Sequence, residues 1–386
     1  MAAYAPPACG TQAPFAKAIA TLEVPDSVVV SCHAFSRSGQ LLAVSPGTDE
    51  IQILERDSEC ITDFKHRHTL SKHTLRVTGL DWSKMDKLVS VSEDRTAVIW
   101  EADAAGVWRG MLVDTGAARG ANCVAWAPDG NRFAVGLASA DVALCSFRND
   151  GSADPWRAQK VGSKHLGGGA VLALAWHYSS DFLAVGSASR HGVILDLKRD
   201  DEELPGFGRA LVDEEMGAWV NAVALSPQGK FFAFAGQDSS VRFKELTLGP
   251  TAEVKTVRWR GLPFLQIAFV GPSDDKLVAC GFDCAPVLFR WRDDAWAVVG
   301  NLDVAQATLS PSPAAEAAAL RRGSFEGARD MFRGGAAWSR RSLGGEAPSC
   351  VHGNTITCCH RLKDGSESLF STSGLDGQVV IWQLHL

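Results

Sequence analysis

The chain has 386 residues, 46% of them hydrophobic and 21% charged, and a formal net charge of −6 at pH 7. These values exclude an intrinsically disordered chain, and the acidic balance argues against a nucleic-acid binder. The sequence has no run of about 18 apolar residues, so it predicts no membrane span. The N-terminal region lacks the apolar core of a secretory signal, and we therefore expect a cytoplasmic protein.

The first predicted element is an apolar strand, AIATLEV, at 18–24. After it, a strand of the form apolar-x-x-apolar-x-aromatic recurs, with its last position at residues 82, 126, 176, 225 and 269, at intervals of 44, 50, 49 and 44 residues. Each copy continues through a polar turn into two further apolar runs and a weaker fourth segment. This pattern predicts four-stranded antiparallel blades.

Two more copies, at 30–54 and 356–382, flank these five and bring the count to seven. The last copy has no segment left for a fourth strand, whereas the strand at 18–24 belongs to no other copy. We therefore predict an all-β, seven-bladed propeller over residues 17–386, closed by the N-terminal strand in the seventh blade. Residues 1–16 are a candidate disordered extension.

The second blade carries a set of polar residues at regular places. His73 precedes its first strand, Ser90 and Ser92 lie in the second, Asp94 in the following turn and Trp100 in the third. This set and the period resemble the WD40 repeat. The resemblance implies a hydrogen-bond chain of His, Ser, Asp and Trp that stabilises the blade. The other blades keep only parts of the pattern, at Asp238, Asp283, Asp376 and Trp382.

Tryptophans recur at strand positions, which favours core packing over a ligand-binding face. The expected core set is Trp82, Trp126, Trp176, Trp219 and Trp382. A second set, in the weaker outer segments, is more suited to partner contacts: Trp108, Trp156, Trp259 and Trp296.

The strand pattern stops between residues 303 and 353, which form a predicted insert between blades six and seven. Within it Phe325, Ala328 and Phe332 have the spacing of one helix face, and residues 321–341 hold six arginines against two acidic residues. A tolerated surface insertion would cost little, but an apolar helix face favours docking and the charge favours an acidic partner. The predicted partner-binding residues are Arg321, Arg322, Phe325, Arg329, Met331, Phe332 and Arg333.

Several segments resemble the WD-repeat subunit of the actin-related protein 2/3 complex. They are CVAWAPDGNRFAVG (123–136), LAWHYSSDFLAVGS (174–187), FDCAPVLF (282–289), STSGLDGQVVIW (371–382) and GARDMF (327–332). The family also has a helix-bearing insert at this place. The resemblance implies a cytoskeletal, non-catalytic subunit that supports nucleation of branched actin filaments. The implied partners are small subunits four and five, actin-related proteins 2 and 3, the actin filament and nucleation-promoting factors.

Other functions find less support. The sequence has no G-x-S-x-G elbow, P-loop or H-E-x-x-H motif, so we predict no enzyme and no cofactor. His66, His68 and His73 lack a cysteine or carboxylate at ligand spacing, and the ten cysteines form no C-x-x-C pair, so we predict no metal and expect reduced thiols. The alternative is a generic WD40 scaffold of a ubiquitin ligase or trafficking complex that binds a peptide.

Overall fold

A computed structural model describes most of the chain. The described residues are 16–25, 27–57, 60–61, 63–151, 154–162, 164–198, 207–249, 251–303, 350–362 and 368–385. Within them the chain forms 28 β-strands and one short 3-10 helix, Leu246–Leu248.

The strands form seven four-stranded antiparallel sheets, each one blade of a propeller. Blade 1 contains β2 (Cys32–Phe35), β3 (Leu41–Ser45), β4 (Glu50–Arg56) and β5 (Phe64–Ser71). Blade 2 contains β6 (Val77–Trp82), β7 (Leu88–Ser92), β8 (Ala97–Ala102) and β9 (Trp108–Val113). Blade 3 contains β10 (Ala121–Trp126), β11 (Arg132–Leu137), β12 (Val142–Phe147) and β13 (Trp156–Val161). Blade 4 contains β14 (Val171–Trp176), β15 (Phe182–Ser187), β16 (His191–Asp196) and β17 (Ala210–Glu215).

The remaining three blades follow the same plan. Blade 5 contains β18 (Val220–Leu225), β19 (Phe231–Gly236), β20 (Ser240–Glu245) and β21 (Val254–Arg258). Blade 6 contains β22 (Phe264–Phe269), β23 (Lys276–Gly281), β24 (Val287–Arg292) and β25 (Ala295–Asn301). Blade 7 contains β26 (Ile356–Arg361), β27 (Leu369–Gly374), β28 (Gln378–Leu384) and β1 (Ala16–Glu23).

The first strands of the blades form a closed ring. Each contacts the first strand of the next blade, from β2 and β6 through to β22 and β26, and β26 contacts β2. The prediction of a seven-bladed propeller is therefore confirmed.

The N-terminal strand closes the ring, as the sequence predicted. β1 pairs antiparallel with β28, from Ala16 opposite Leu384 to Glu23 opposite Gln378. Its buried residues Ala20 and Leu22 join the apolar core between blades 7 and 1. β1 begins at Ala16, and residues 1–15, most of the predicted extension, lie outside the described part of the chain.

Burial follows from the packing of blades face to face. Every residue of β7, β11, β19 and β27 is buried, because both faces of these second strands contact a neighbouring blade. Apolar side chains on both faces satisfy this arrangement, and β-branched and aromatic residues suit it best.

Two of the tryptophan predictions are wrong. Trp219 is 56% exposed, because it lies in the loop before β18. The last position of this strand, which is aromatic in most other blades, is Leu225 here. Trp296, expected to face a partner, is 6% exposed and stacks on Phe243 with ring centroids 4.0 Å apart. Blade 6 packs there against blade 5, so the outer strand β25 contributes to the core.

Side-chain hydrogen bonds, most of them at a repeated strand irregularity, link five of the blades to the next one. Six of the first strands have a register shift at their second residue, for example between Val77 and Gly79 and between Ala121 and Cys123. Where that residue is polar, its side chain donates to a backbone carbonyl at or next to the start of the next blade, from Thr78 to Ala121, Asn122 to Val171, Asn221 to Phe264 and Thr357 to Val30. Ser31, which directly precedes β2, makes a similar bond to the carbonyl of Val77 without a register shift. We call them the inter-blade clasps.

The predicted insert falls mainly outside the described residues. Residues 304–349 are among those that the structure does not describe. The predicted helix and its partner-binding residues, Arg321 to Arg333, lie in this segment. In the described part of the chain no helix is long and apolar enough to cross a membrane.

Candidate functional site

The loops of the propeller divide between two sides of the ring. Because strands alternate in direction, the connection from each fourth strand to the next first strand lies on the same side as the turn between second and third strands. We call this side the top face. The insert leaves and re-enters there, between β25 and β26.

A buried polar network supports the top face at blade 2. The Trp100 indole donates to Ser90 Oγ at 2.8 Å, and Ser90 Oγ lies 2.7 Å from His73 Nε2. An indole N–H can only donate, so the Ser90 hydroxyl accepts from it and donates to Nε2. Nδ1 then carries the proton and donates to Asp94 Oδ2 at 3.1 Å. The structure thus brings His73, Ser90, Asp94 and Trp100 together.

Ser92, which the sequence grouped with these four, has a different position. Its hydroxyl donates to the carbonyl of Leu75 at 2.9 Å and accepts from the backbone N–H of Asp94 at 3.1 Å. Ser92 therefore fixes the turn and is not part of the chain of side chains.

Blade 7 holds a second complete network, which the sequence interpretation missed. The Trp382 indole donates to Thr372 Oγ1 at 2.8 Å, the hydroxyl reaches His352 Nε2 at 2.7 Å, and His352 Nδ1 reaches Asp376 Oδ2 at 3.0 Å. The expectation that only blade 2 has the full set is wrong. The signal is present in the sequence: Thr372 precedes Asp376 and Trp382 by the same intervals as Ser90 precedes Asp94 and Trp100.

The ionisation of these networks follows from burial and hydrogen bonding. Burial lowers the pKa of His73, so its contact with Asp94 joins a neutral ring to a carboxylate. Burial alone would raise the pKa of Asp94, but donors from Thr96 and Thr74 hold it below its usual value. For Asp376, burial is likewise outweighed by the donor from His352 and by backbone N–H groups. The carboxylates are therefore charged and internally satisfied.

A buried histidine joins the first and last blades. His33 of blade 1 is fully buried, and its two ring nitrogens lie 2.8 Å from the hydroxyls of Ser371 and Ser373 in blade 7. Burial lowers the pKa of His33, which keeps the ring neutral and able to donate at one nitrogen and accept at the other. We call this contact the closure clamp.

A thiol and an imidazole lie beside the closure clamp. The Sγ atom of Cys358 is 3.7 Å from the carbonyl of His33, and the His360 ring packs edge-on against the His33 ring at 5.2 Å. Burial opposes charge on His360, but the neighbouring Cys358 raises its pKa to about 9. Cys358 is only 8% exposed, so this pair is enclosed in the seam between blades.

The base of the insert is also fixed by hydrogen bonds within the propeller. The Asp303 carboxylate accepts the backbone N–H of Val351, and its own N–H donates to Asn301 Oδ1 at 2.9 Å. Half-burial raises the pKa of Asp303. His352 follows directly, so the chain re-enters the ring at the blade 7 network.

The histidines considered as metal ligands do not converge. His66 and His68 are exposed on β5, whereas His73 is buried in the blade 2 network. No group of three His, Cys, Asp or Glu side chains in the described part of the chain could hold a metal ion.

Comparison with known proteins gives a consistent result. The family model "WD domain, G-beta repeat" matches residues 64–101 and 214–243. The chain is 30% identical over 372 residues to actin-related protein 2/3 complex subunit 1B of Arabidopsis thaliana, covering 92% of this chain and 94% of the relative. It is 30% identical over 378 residues to subunit 1 of the same complex in Schizosaccharomyces pombe, covering 91% and 96%. It is 28% identical over 371 residues to subunit 1A-A of Xenopus laevis, covering 92% and 93%.

Proposed function

Since the chain belongs to the family of actin-related protein 2/3 complex subunit 1, we propose that it is the WD40 subunit of that complex and has a structural, non-catalytic role. The observation that carries this proposal is the match along nearly the whole of both chains. The match spans more than nine-tenths of this chain and of each of these relatives.

The polar clusters support a non-catalytic role. The His, Ser or Thr, Asp and Trp side chains of blades 2 and 7 satisfy one another and are buried, as is typical of groups that stabilise a fold. The subunit then contributes binding energy and geometry to assembly. Its proposed partners are small subunits four and five, actin-related proteins 2 and 3, the actin filament and nucleation-promoting factors, in the cytoplasmic actin cytoskeleton.

The insert is the proposed contact with one of these partners. Its sequence combines a predicted apolar helix face, Phe325, Met331 and Phe332, with arginines that favour an acidic surface. The base of the insert supports this role, because Asp303 and Val351 are bonded to each other and His352 is held in the blade 7 network. Asp303 and Val351, which flank the insert, therefore have defined positions on the top face.

Affinity purification tests complex membership. The tagged chain should recover two actin-related proteins and several small subunits from a cell extract. Recovery of a ubiquitin-ligase or coat core in their place would support the generic WD40 scaffold and refute the proposal.

A double substitution tests the insert. We expect Phe332→Ala with Arg329→Glu to lower the frequency of branches by at least about fivefold in a purified actin assembly assay, since an aromatic anchor at an interface contributes more than about 1 kcal/mol. The melting temperature of the isolated chain should not change.

The matched control is Tyr178→Ala with Arg258→Glu. It makes the same kinds of change at exposed residues of blades 4 and 5 and should leave branching intact. A normal frequency of branches with the insert variant, or an equal loss of branches with the control, would show that the insert has no specific role in branching.

A further inference from the structure

The outer strand of each blade has a free edge, and most of these edges are protected. The unpaired N–H and C=O groups of an edge strand can pair with a strand of another chain, and β-bulges or charged side chains oppose such pairing. β1, β5, β17 and β25 each have a register shift against the third strand of their blade. β13 and β21 have regular registers, but each carries two cations, Arg157 and Lys160 on β13 and Lys255 and Arg258 on β21.

The outer strand of blade 2, β9, has neither kind of protection. Its six residues pair with β8 in an unbroken register. Its single charged side chain, Arg109, is 3.2 Å from the carboxylate of Asp103 in the same hairpin, so that charge is already paired. Among the outer strands that the structure describes, β9 is therefore the one whose edge is both regular and nearly free of charge.

The ladder between β8 and β9 shows which backbone groups lie on the free edge. In the turn that joins the two strands, the N–H of Asp103 donates to the carbonyl of Val107 at 3.0 Å. Hydrogen-bonded and non-hydrogen-bonded pairs alternate from there, so Gly110 and Leu112 direct their N–H and C=O groups away from β8. The Nζ atom of Lys72 lies 2.8 Å from the carbonyl oxygen of Gly110, as expected for a group on that edge.

Apolar side chains are exposed at both ends of β9. Val107, directly before the strand, is 54% exposed, and Leu112, near its end, is 53% exposed. Between them, Gly110 has no side chain that could cover the backbone. A regular edge strand with exposed apolar residues is the kind of edge to which another strand can be added.

A small pocket opens beside this edge. Its volume is about 260 Å³, and the residues that line it include Ile99, Ala102, Gly110 and Met111. Sites for small molecules usually have about 300–1,000 Å³, so this pocket is better suited to one apolar side chain than to a free ligand. An edge strand with a side-chain pocket next to it has both parts of a strand-addition site.

We propose that β9 pairs with an extended, uncharged segment of another protein, which adds a fifth strand to blade 2 and places one apolar side chain in the pocket. Main-chain hydrogen bonds then provide affinity, and the pocket provides specificity. The low charge of β9 favours an apolar segment over an acidic or basic one.

A second copy of this chain fits the edge less well. Pairing of β9 with β9 would bring two Lys72 ammonium groups to the same edge, and like charges on facing strands oppose pairing. In the proposed complex an N–H of the added segment replaces Lys72 at the carbonyl of Gly110. This site is on the perimeter of the ring, is distinct from the insert and does not depend on the proposed function.

The test uses the full chain and a fluorescent synthetic peptide in which threonine alternates with leucine. Fluorescence anisotropy should show binding, and hydrogen exchange of the Gly110 and Leu112 amides should slow when the peptide is bound. The same peptide with a central proline should not bind, because proline lacks the N–H that strand pairing needs. Leu112→Lys, which adds a charge to the edge, and Ala102→Phe, which fills the pocket, should each weaken binding about tenfold.

Leu211→Lys is the matched control. Leu211 is on the outer strand β17 and is 38% exposed, so the same change there should leave peptide binding intact. All three variants change exposed residues and should keep the melting temperature of the wild type. Failure of the wild type to bind, equal binding of the proline peptide, equal binding by Leu112→Lys or Ala102→Phe, or an equal loss in the control would overturn the proposal. So would dimerisation in sedimentation that Leu112→Lys abolishes, since it would assign the edge to a second copy.

Discussion

The blade 7 network predicts the effect of removing one hydroxyl group. Thr372→Val keeps the shape of the side chain but deletes Oγ1, which accepts from the Trp382 indole at 2.8 Å and donates to His352 Nε2 at 2.7 Å. Thr372 is completely buried and Trp382 and His352 are each 1% exposed, so water cannot replace the lost partner. The variant therefore leaves one buried donor and one buried acceptor unsatisfied.

The expected cost follows from these two groups. An unsatisfied buried polar group destabilises a protein by about 1–3 kcal/mol, which gives about 3 kcal/mol for the pair when the favourable burial of the added methyl group is included. With an entropy of unfolding of about 2 cal/mol/K per residue, this corresponds to a fall of about 4 °C in the melting temperature. Thr372→Ser should lose much less, because blade 2 carries serine at this position.

Differential scanning calorimetry of the purified full chain measures this difference. The matched control is Thr256→Val, at an exposed position of β21, which should change stability by less than about 0.5 kcal/mol. The network does not stabilise blade 7 in the way described if Thr372→Val has the same melting temperature as Thr256→Val. The same conclusion follows if Thr372→Ser is as unstable as Thr372→Val.

Two further predictions concern an inter-blade clasp and the buried histidines. Asn122→Leu removes a clasp in which Nδ2 lies 2.8 Å from the carbonyl oxygen of Val171, and it should lower the free energy of unfolding by about 1 kcal/mol in a urea titration. Leu172→Ala is the control at the equivalent position without a clasp, and it should change only packing. An unchanged urea midpoint for Asn122→Leu would contradict the role of the clasp. Burial lowers the pKa of His33 and His73, so the unfolded chain binds more protons below about pH 6.5 and stability should fall as pH drops from 6.5 to 5, by up to about 1.4 kcal/mol per unit for each ring. In His33→Gln this slope should be smaller, and an identical slope would show that the closure clamp does not resist protonation.

The fold was predictable because its main determinant is periodic. The repeat of apolar strands reports on blades whose two faces are both buried, and the unassigned segment at 18–24 indicated the closing strand. The clasps were harder to predict. Four of the five depend on a register shift at the second residue of a first strand, and a side chain such as Thr78 looks like any other strand threonine until the shift is seen.

The functional residues were less predictable, for different physical reasons. His352 was missed because it follows the insert, where no strand pattern marks its position, although its spacing to Thr372 and Asp376 resembles that of blade 2. Trp219 was assigned to the core as one of the tryptophans at recurring strand positions, since the sequence does not distinguish a loop residue one position before a strand from a strand residue.

The pairing of β1 with β28 has a consequence for the order of folding during synthesis. Among the described strands, β1 is made first and its only sheet partner is made last. Six blades can form from neighbouring strands as the chain emerges, but β1 must wait, unpaired, until β28 has left the ribosome. The closing contact is thus also the contact of greatest sequence separation, which is the kind that forms slowly. Any nascent chain in which β1 found another sheet edge first would be trapped as an open ring.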